Sequence, residues 1–120
     1  MAHNATRAQV LQAVQSNNNK ILSLIDIREP EKKRIPRKIE NAVNIPRSEL
    51  IAAFKLSNNE FLAKYGVNLP EENGLVIFHC NSGKGSGTLV NGLEGMDGEL
   101  WGRYCFKHFP GGVLGWEEGM

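Results

Sequence analysis

Two short, almost uninterrupted apolar runs constrain the fold of this 120-residue chain more than any other feature. Residues 21–27 read ILSLIDI, and residues 75–80 read LVIFHC. Each run has the length of a strand and lacks polar alternation, which is typical of strands buried on both faces of a parallel sheet covered by helices. The two runs therefore predict the centre of an α/β fold.

Segments with helical spacing alternate with these runs and with two further extended segments. Helices are predicted over residues 5–16, 47–56, 60–65 and 86–96, with a short closing helix from residue 113, and extended segments over residues 41–46 and 103–109. Expected caps are Asn4 or Thr6 for the first helix, and Asn58 or Asn59 with Gly66 for the third. Strands that alternate with helices predict a small α/β layer fold around a mostly parallel sheet.

Composition limits the classes of protein to which the chain can belong. Hydrophobic residues make up 41% and charged residues 22%, with a net charge of +1, so we expect one globular domain over residues 1–120 without a nucleic-acid signature. No apolar run approaches the ~20 residues that a membrane helix needs.

The basic segment 32–38 is expected to be a solvated loop. Without a secretory signal at the start, we expect a cytoplasmic protein and leave mitochondria open.

The second apolar run leads Cys80 directly into a turn rich in glycine, serine and lysine. The candidate binding loop comprises Asn81, Ser82, Gly83, Lys84, Gly85 and Ser86. The thiolate is the reactive form of cysteine, and converging backbone N–H groups form a nest for anions. Ligands of parallel sheets bind beyond the carboxyl ends of strands, where this turn lies. The alternative interpretation is a packed cysteine at a strand end, followed by an ordinary loop.

The remaining cysteine and histidines do not form a metal-binding pattern. Cys105 makes no C-x-x-C pair with Cys80, and His3, His79 and His108 are scattered. We therefore expect no metal and no organic cofactor. Both thiols are expected to be reduced, although the residues leave a Cys80–Cys105 disulfide open. His79 is expected on the opposite face of its strand from Cys80, because adjacent strand residues alternate.

Four blocks, taken in order, resemble the rhodanese-like sulfurtransferase domain. They are LIDIREPE at residues 24–31, IENAVNIP at 39–46, FHCNSGK at 78–84 and FPGGVLGW at 109–116. They are similar to the family's first strand with its D-x-R-E signature, its I-P-G-A-x-N-I-P segment, its catalytic C-x-S-G loop and its closing G-G-x-x-x-W. The resemblance implies a rhodanese-like three-layer α/β/α fold, with the core over about residues 20–118.

The resemblance also implies a chemistry. Cys80 would take a sulfane sulfur from a small anionic donor such as thiosulfate, hold it as a persulfide, and pass it to a thiol, to cyanide or to a protein acceptor. The backbone N–H groups of residues 81–86 would stabilise the anions, with Lys84 adding positive charge. Asp26 and Arg28 would support the site, more simply as a structural ion pair than as catalytic groups. A monomer is expected.

Departures from the family pattern leave a second function open. Gly85 stands where family loops often have Arg or Thr, and Lys84, Ser86 or Thr88 could take over part of that anchoring. The helix that follows is rich in glycine, and each interior glycine costs about 1 kcal/mol relative to alanine. The alternative is therefore a catalytically weak or inactive module for partner binding or redox sensing. A C-x5-R phosphatase is disfavoured, because Ser86 occupies the arginine position.

Overall fold

The computed structural model describes residues 3–15, 22–29, 39–80 and 83–117. The predicted basic loop 32–38 and two residues of the candidate binding loop, Asn81 and Ser82, lie outside these ranges. Within them, one sheet has the order β2-β1-β3-β4 with every neighbouring pair parallel. Its strands are β1 (Leu22–Asp26), β2 (Val43–Asn44), β3 (Leu75–His79) and β4 (Cys105–His108).

The two apolar runs form the two central strands, as predicted. The register pairs Leu22 with Leu75 at one end of β1 and β3, and Asp26 with His79 at the other. On the other side of β3, Phe78 pairs with His108. Because all the strands run in one direction, the residues that follow β1, β3 and β4 meet at the same edge of the sheet.

Side chains alternate along the central strands and divide the core into two clusters, one on each face. Ile77 packs in one cluster with helices α1 (Arg7–Gln15) and α6 (Gly112–Glu117), whereas Phe78 packs in the other. The second cluster is covered by α2 (Leu50–Ala53), α3 (Asn58–Tyr65), α4 (Lys84–Met96) and α5 (Gly98–Arg103). This arrangement confirms the predicted α/β class and the three-layer order. Within the described ranges, no helix is long and apolar enough to cross a membrane.

Helix capping differs in part from the prediction. The third helix is capped by Ser57, not by Asn58 or Asn59: the Ser57 hydroxyl accepts from the Glu60 N–H at 3.2 Å, and the Glu60 carboxylate accepts from the Ser57 N–H at 3.0 Å. This reciprocal pair satisfies two helix N–H groups at once, which outweighs an asparagine cap. Gly66 ends the helix in the left-handed conformation, as predicted.

Two segments fold differently from their patterns. Helix 47–56 is shorter than predicted: a 3₁₀ turn over Arg47–Glu49 precedes the single turn of α2. Helix α5 was not predicted, and the last strand begins at Cys105 instead of residue 103. The Asp97 carboxylate caps α5 by accepting from the Leu100 N–H at 3.0 Å, and Leu100 is buried. A cap and a buried anchor together offset the low helix propensity of glycine.

Candidate active site

Cys80 lies at the carboxyl edge of the sheet, directly after β3. Its carbonyl oxygen accepts from the Val113 N–H at 2.9 Å, and the carbonyl of Phe78 accepts from the Phe109 N–H, also at 2.9 Å. Two backbone hydrogen bonds therefore join the end of β3 to the segment that follows β4. They fix the position of the half-buried Cys80 side chain relative to the sheet.

The sulfur of Cys80 accepts from two backbone N–H groups at the start of α4. The Gly83 nitrogen lies 3.2 Å from Sγ, and the Ser86 nitrogen lies 3.4 Å from it. Gly83 is the N-cap of α4 and has no side chain to accept from the helix, so Sγ takes the place of a capping oxygen. Two donors and the positive end of the helix dipole favour negative charge on this sulfur.

Ser86 connects Cys80 to a residue that the sequence interpretation did not assign to the site. Ser86 is completely buried, and its hydroxyl oxygen lies 3.7 Å from the Cys80 sulfur and 3.2 Å from the Gly83 carbonyl oxygen. The same oxygen lies 3.2 Å from Nδ1 of His108. The sequence could have pointed to His108. A residue at the carboxyl end of the strand beside β3 reaches the same edge of the sheet as Cys80.

The residues expected to replace the missing arginine differ in their placement. A Cβ atom at Gly85 would lie 3.8 Å from the Cys80 sulfur, so the glycine leaves that side of the thiol open. Lys84 is exposed at the first turn of α4. Thr88 is also exposed, and its hydroxyl donates to the Lys84 carbonyl oxygen at 3.0 Å. Ser86 is thus the one of the three whose side chain contacts the sulfur.

Asp26 and Arg28 form a buried ion pair after β1. The Arg28 Nη2 and Nε atoms donate to the two carboxylate oxygens at 2.8 and 2.9 Å, and the side chains are 0% and 4% exposed for Asp26 and Arg28. Burial alone raises the pKa of Asp26, but the Arg28 hydrogen bond and the charge of His79 hold it below its ordinary value. The two side chains form the ion pair that the sequence interpretation favoured, and its role in bracing the segment beside the Cys80 strand stays a prediction.

The remaining cysteine and His79 lie away from the sulfur. Cys105 is paired with Leu75 at the amino end of β3, so it lies at the opposite end of the sheet from Cys80, and both thiols are free. An intramolecular disulfide, left open by the sequence, does not form in this fold. His79 is fully buried on the other face of β3, as predicted. In the described part of the chain, no three His, Cys, Asp or Glu side chains are grouped to hold a metal ion.

Comparison with known proteins identifies two curated relatives with similar sequences. A protein of Schizosaccharomyces pombe named "Putative thiosulfate sulfurtransferase, mitochondrial" is 33% identical over 95 residues, covering 79% of this chain and 63% of its own length. A rhodanese domain-containing protein of Drosophila melanogaster is 38% identical over 66 residues, covering 55% of this chain and 60% of its own length. The chain thus spans about three fifths of the length of these curated relatives.

Structural comparison supports the fold over the whole chain. The human single-domain sulfurtransferase TSTD1 superposes with a TM-score of 0.69 at 22% identity, covering 100% of this chain and 99% of the human one. At this identity the similarity establishes the fold alone. The sequence model of the rhodanese-like domain family matches residues 6–118, which is nearly the entire sequence. The chain therefore belongs to the rhodanese-like domain family.

Proposed function

We propose that the protein is a sulfurtransferase that carries sulfane sulfur as a persulfide on Cys80. The donor is a small anion such as thiosulfate, and the acceptor is a thiol, cyanide or a thiol on a protein. The position of the Cys80 sulfur over the N–H groups of Gly83 and Ser86 carries this proposal, because both the attacking thiolate and the product persulfide are anions.

Sulfur transfer proceeds in two displacement steps that balance without a cofactor. In the first, the Cys80 thiolate attacks the outer sulfur of thiosulfate; a new S–S bond forms, the old one breaks, and sulfite leaves with its electron pair. In the second, the acceptor thiolate or cyanide attacks the outer sulfur of the persulfide and releases the Cys80 thiolate. The enzyme returns to its starting state, and both anions of the cycle, the thiolate and the persulfide, are carried by Cys80.

Some of the groups around Cys80 stabilise negative charge, and others leave the thiol accessible to a donor. The N–H groups of Gly83 and Ser86 are held at the start of a helix, so they already point to the Cys80 sulfur when the thiolate forms. Gly85 leaves one side of the thiol open to a donor. The exposed amine of Lys84 attracts an anion toward the loop.

Intact mass spectrometry of the reduced protein, before and after thiosulfate, tests the first step. We expect wild type to gain one sulfur atom and the Cys80→Ser variant to gain none. Cys105→Ser is the matched control: its thiol lies at the other end of the sheet, so the variant should gain sulfur as wild type does. A sulfide-release assay with a thiol acceptor then measures turnover, which Cys80→Ser should lose entirely.

The outcome also separates this function from the alternative of a binding module. If neither thiosulfate nor another sulfane donor adds sulfur to wild type, the proposal fails. In that case the open position at Gly85 would indicate that the fold is used for binding or redox sensing instead of transfer. Equal sulfide release by wild type and Cys80→Ser would overturn the assignment of Cys80.

A further inference from the structure

The hydroxyl group of Ser86 lies between the Cys80 sulfur and the His108 imidazole. Its oxygen is 3.7 Å from Sγ and 3.2 Å from Nδ1 of His108, and the serine is completely buried. A serine hydroxyl has one proton to donate and can accept from others, so it can pass a proton between two neighbours. The third neighbour is the carbonyl oxygen of Gly83 at 3.2 Å, which can only accept.

The fold fixes His108 in the position that this contact needs. The His108 N–H donates to the carbonyl of His3 at 2.9 Å, and its own carbonyl accepts from the Ala5 N–H at 2.8 Å. The imidazole ring lies against Gly87 of α4: a Cβ atom there would be 3.0 Å from Cε1 and 3.3 Å from Nε2. A side chain at Gly87 would therefore push the ring away from Ser86.

The proposed proton transfer accounts for every proton in both the thiol state and the thiolate state of Cys80. With a thiol, S–H points to the Ser86 oxygen and the Ser86 O–H donates to the unprotonated Nδ1 of His108. Transfer moves the sulfur proton to Ser86 and the serine proton to Nδ1. The product has a thiolate that accepts from the Ser86 O–H, while the imidazolium Nδ1–H donates to the Ser86 oxygen. No other reactant is needed.

His108 begins as a neutral imidazole, which has a free nitrogen for this proton. Burial, and then the charge of His3, lower the pKa of His108 below its ordinary value. Both effects disfavour the imidazolium, so the negative charge of the thiolate that forms beside Ser86 must hold the transferred proton. Helix α4 contributes Ser86 and Gly87 to this contact, neither of which is charged, and the β3 side contributes the thiol of Cys80 through Ser86. On β4 itself, Lys107 points to the opposite face, because strand residues alternate.

We propose that His108 is a positioning residue that takes the proton of the Cys80 thiol through the hydroxyl of Ser86. The role rests on the proposed use of Cys80 as the nucleophile, but it concerns only how the thiolate forms. Among the described residues the hydrogen-bond contact of the His108 ring is with Ser86, and the proposed route to the sulfur runs through that hydroxyl.

The rate of Cys80 alkylation by iodoacetamide, measured against pH in a Cys105→Ser background, tests the proposal. His108→Asn keeps a polar partner for Ser86 but cannot take a proton at Nδ1. We expect its alkylation rate at neutral pH to fall about tenfold, as the pH profile moves up by about one unit. Ser86→Ala should shift the profile in the same direction. Thr88→Ala, which removes a hydroxyl on the opposite side of the same helix, should leave it unchanged.

A second pair of variants moves the imidazole without changing its chemistry. Gly87→Ala displaces the His108 ring and should lower alkylation at neutral pH, whereas Gly95→Ala adds a methyl group in open space on the same helix and should not. If His108→Asn and Gly87→Ala fold as wild type does, shown by circular dichroism, and keep the wild-type profile, the proposal is wrong.

NMR titration of His108 provides a test that needs no variant of His108 or Ser86. Coupled groups shift each other's titration, so His108 should protonate at higher pH in wild type than in Cys80→Ser, which has no thiolate. Identical titration curves would overturn the proposal. Neither readout uses a sulfur donor. Wild type could show the expected shifts in the alkylation profile and in the His108 titration but gain no sulfur from thiosulfate. That result would reject the proposed function and support the role of His108.

Discussion

The backbone of Gly83 lies directly against the carbonyl group of Pro110. Gly83 has a φ of +91°, and a Cβ atom there would overlap the Pro110 carbonyl and lie 2.9 Å from its Cα. This contact joins the loop after β3 to the turn after β4, and it is possible only without a side chain. The loop that holds the Cys80 sulfur therefore depends on glycine for both its conformation and its space.

Substitution of Gly83 should disrupt the site more than the fold. In Gly83→Ala the loop must move away from Pro110, which removes the Gly83 N–H from the Cys80 sulfur. We expect sulfide release to fall at least tenfold and the free energy of unfolding to fall by about 1–3 kcal/mol, from backbone strain. Steady-state assays and urea denaturation measure the two effects.

Gly66→Ala is the matched control for that variant. Gly66 has a similar φ of +79°, but a Cβ atom there would meet nothing within 4 Å. It should lose stability of the same order from the left-handed conformation while keeping wild-type activity. An equal loss of activity in both variants would mean that the effect is general strain and not the contact with Pro110.

An arginine at Gly85 should improve the use of an anionic donor. The backbone there is not in the left-handed region, and a Cβ atom would make an ordinary contact with the Cys80 sulfur at 3.8 Å, so the fold accepts a side chain. A charge-assisted hydrogen bond contributes about 1.5–3 kcal/mol, which corresponds to a KM for thiosulfate that is about 10- to 150-fold lower in Gly85→Arg. Steady-state kinetics at low and high salt measure it, since screening should weaken the gain.

Two further variants at Gly85 separate charge from bulk. Gly85→Ala adds the Cβ atom alone and should leave the KM near that of wild type. Gly85→Glu places a negative charge beside the sulfur and should raise the KM. If arginine and alanine change the KM equally, charge at this position does not determine donor binding.

The Asp26–Arg28 pair should contribute to stability in a pH-dependent way. Asp26→Asn removes the carboxylate charge from this buried ion pair, which costs about 3–5 kcal/mol. The folded protein holds the pKa of Asp26 below its ordinary value of 3.8, so the contribution is complete above that value and is lost as pH falls through the folded pKa. Urea denaturation at neutral and acidic pH measures both effects.

The acid-dependent part should be absent from Asp26→Asn, because the amide does not titrate in this range. Glu99→Gln is the control: its ion pair with Arg103 is on the surface, so removing the charge should change stability little. Equal losses in the two variants would contradict the structural importance of the buried pair.

Helix α4 should become more stable when an exposed glycine in its centre is replaced. A Cβ atom at Gly92 would make one ordinary contact, 3.9 Å from Cε of Met96. Gly92→Ala should raise the free energy of unfolding by about 0.5–1 kcal/mol, because alanine loses less backbone entropy in a helix. Urea denaturation measures the gain. A loss of stability would show that the local structure depends on glycine for a reason other than helix propensity.

The central architecture could be predicted because it follows from local patterns. The apolar runs of β1 and β3 have no polar face to turn toward water, so burial between helices is the stable arrangement for them. Parallel pairing then brings Cys80 to the ligand-binding edge of the sheet. Helix α5 was missed because its stability comes from the Asp97 cap and the buried Leu100, which outweigh two glycines.

The sequence by itself thus determined the sheet and the layers, since both depend on hydrophobic burial, and it placed the proposed nucleophile Cys80 directly after a central strand. Only the tertiary structure decided which groups surround the sulfur. His108 is far from Cys80 in sequence. It reaches Ser86 because the register pairs the ends of β3 and β4, and because Gly87 has no side chain to occupy the space of the ring. Contacts of this kind depend on the packing of separate elements, which no local pattern in the chain records.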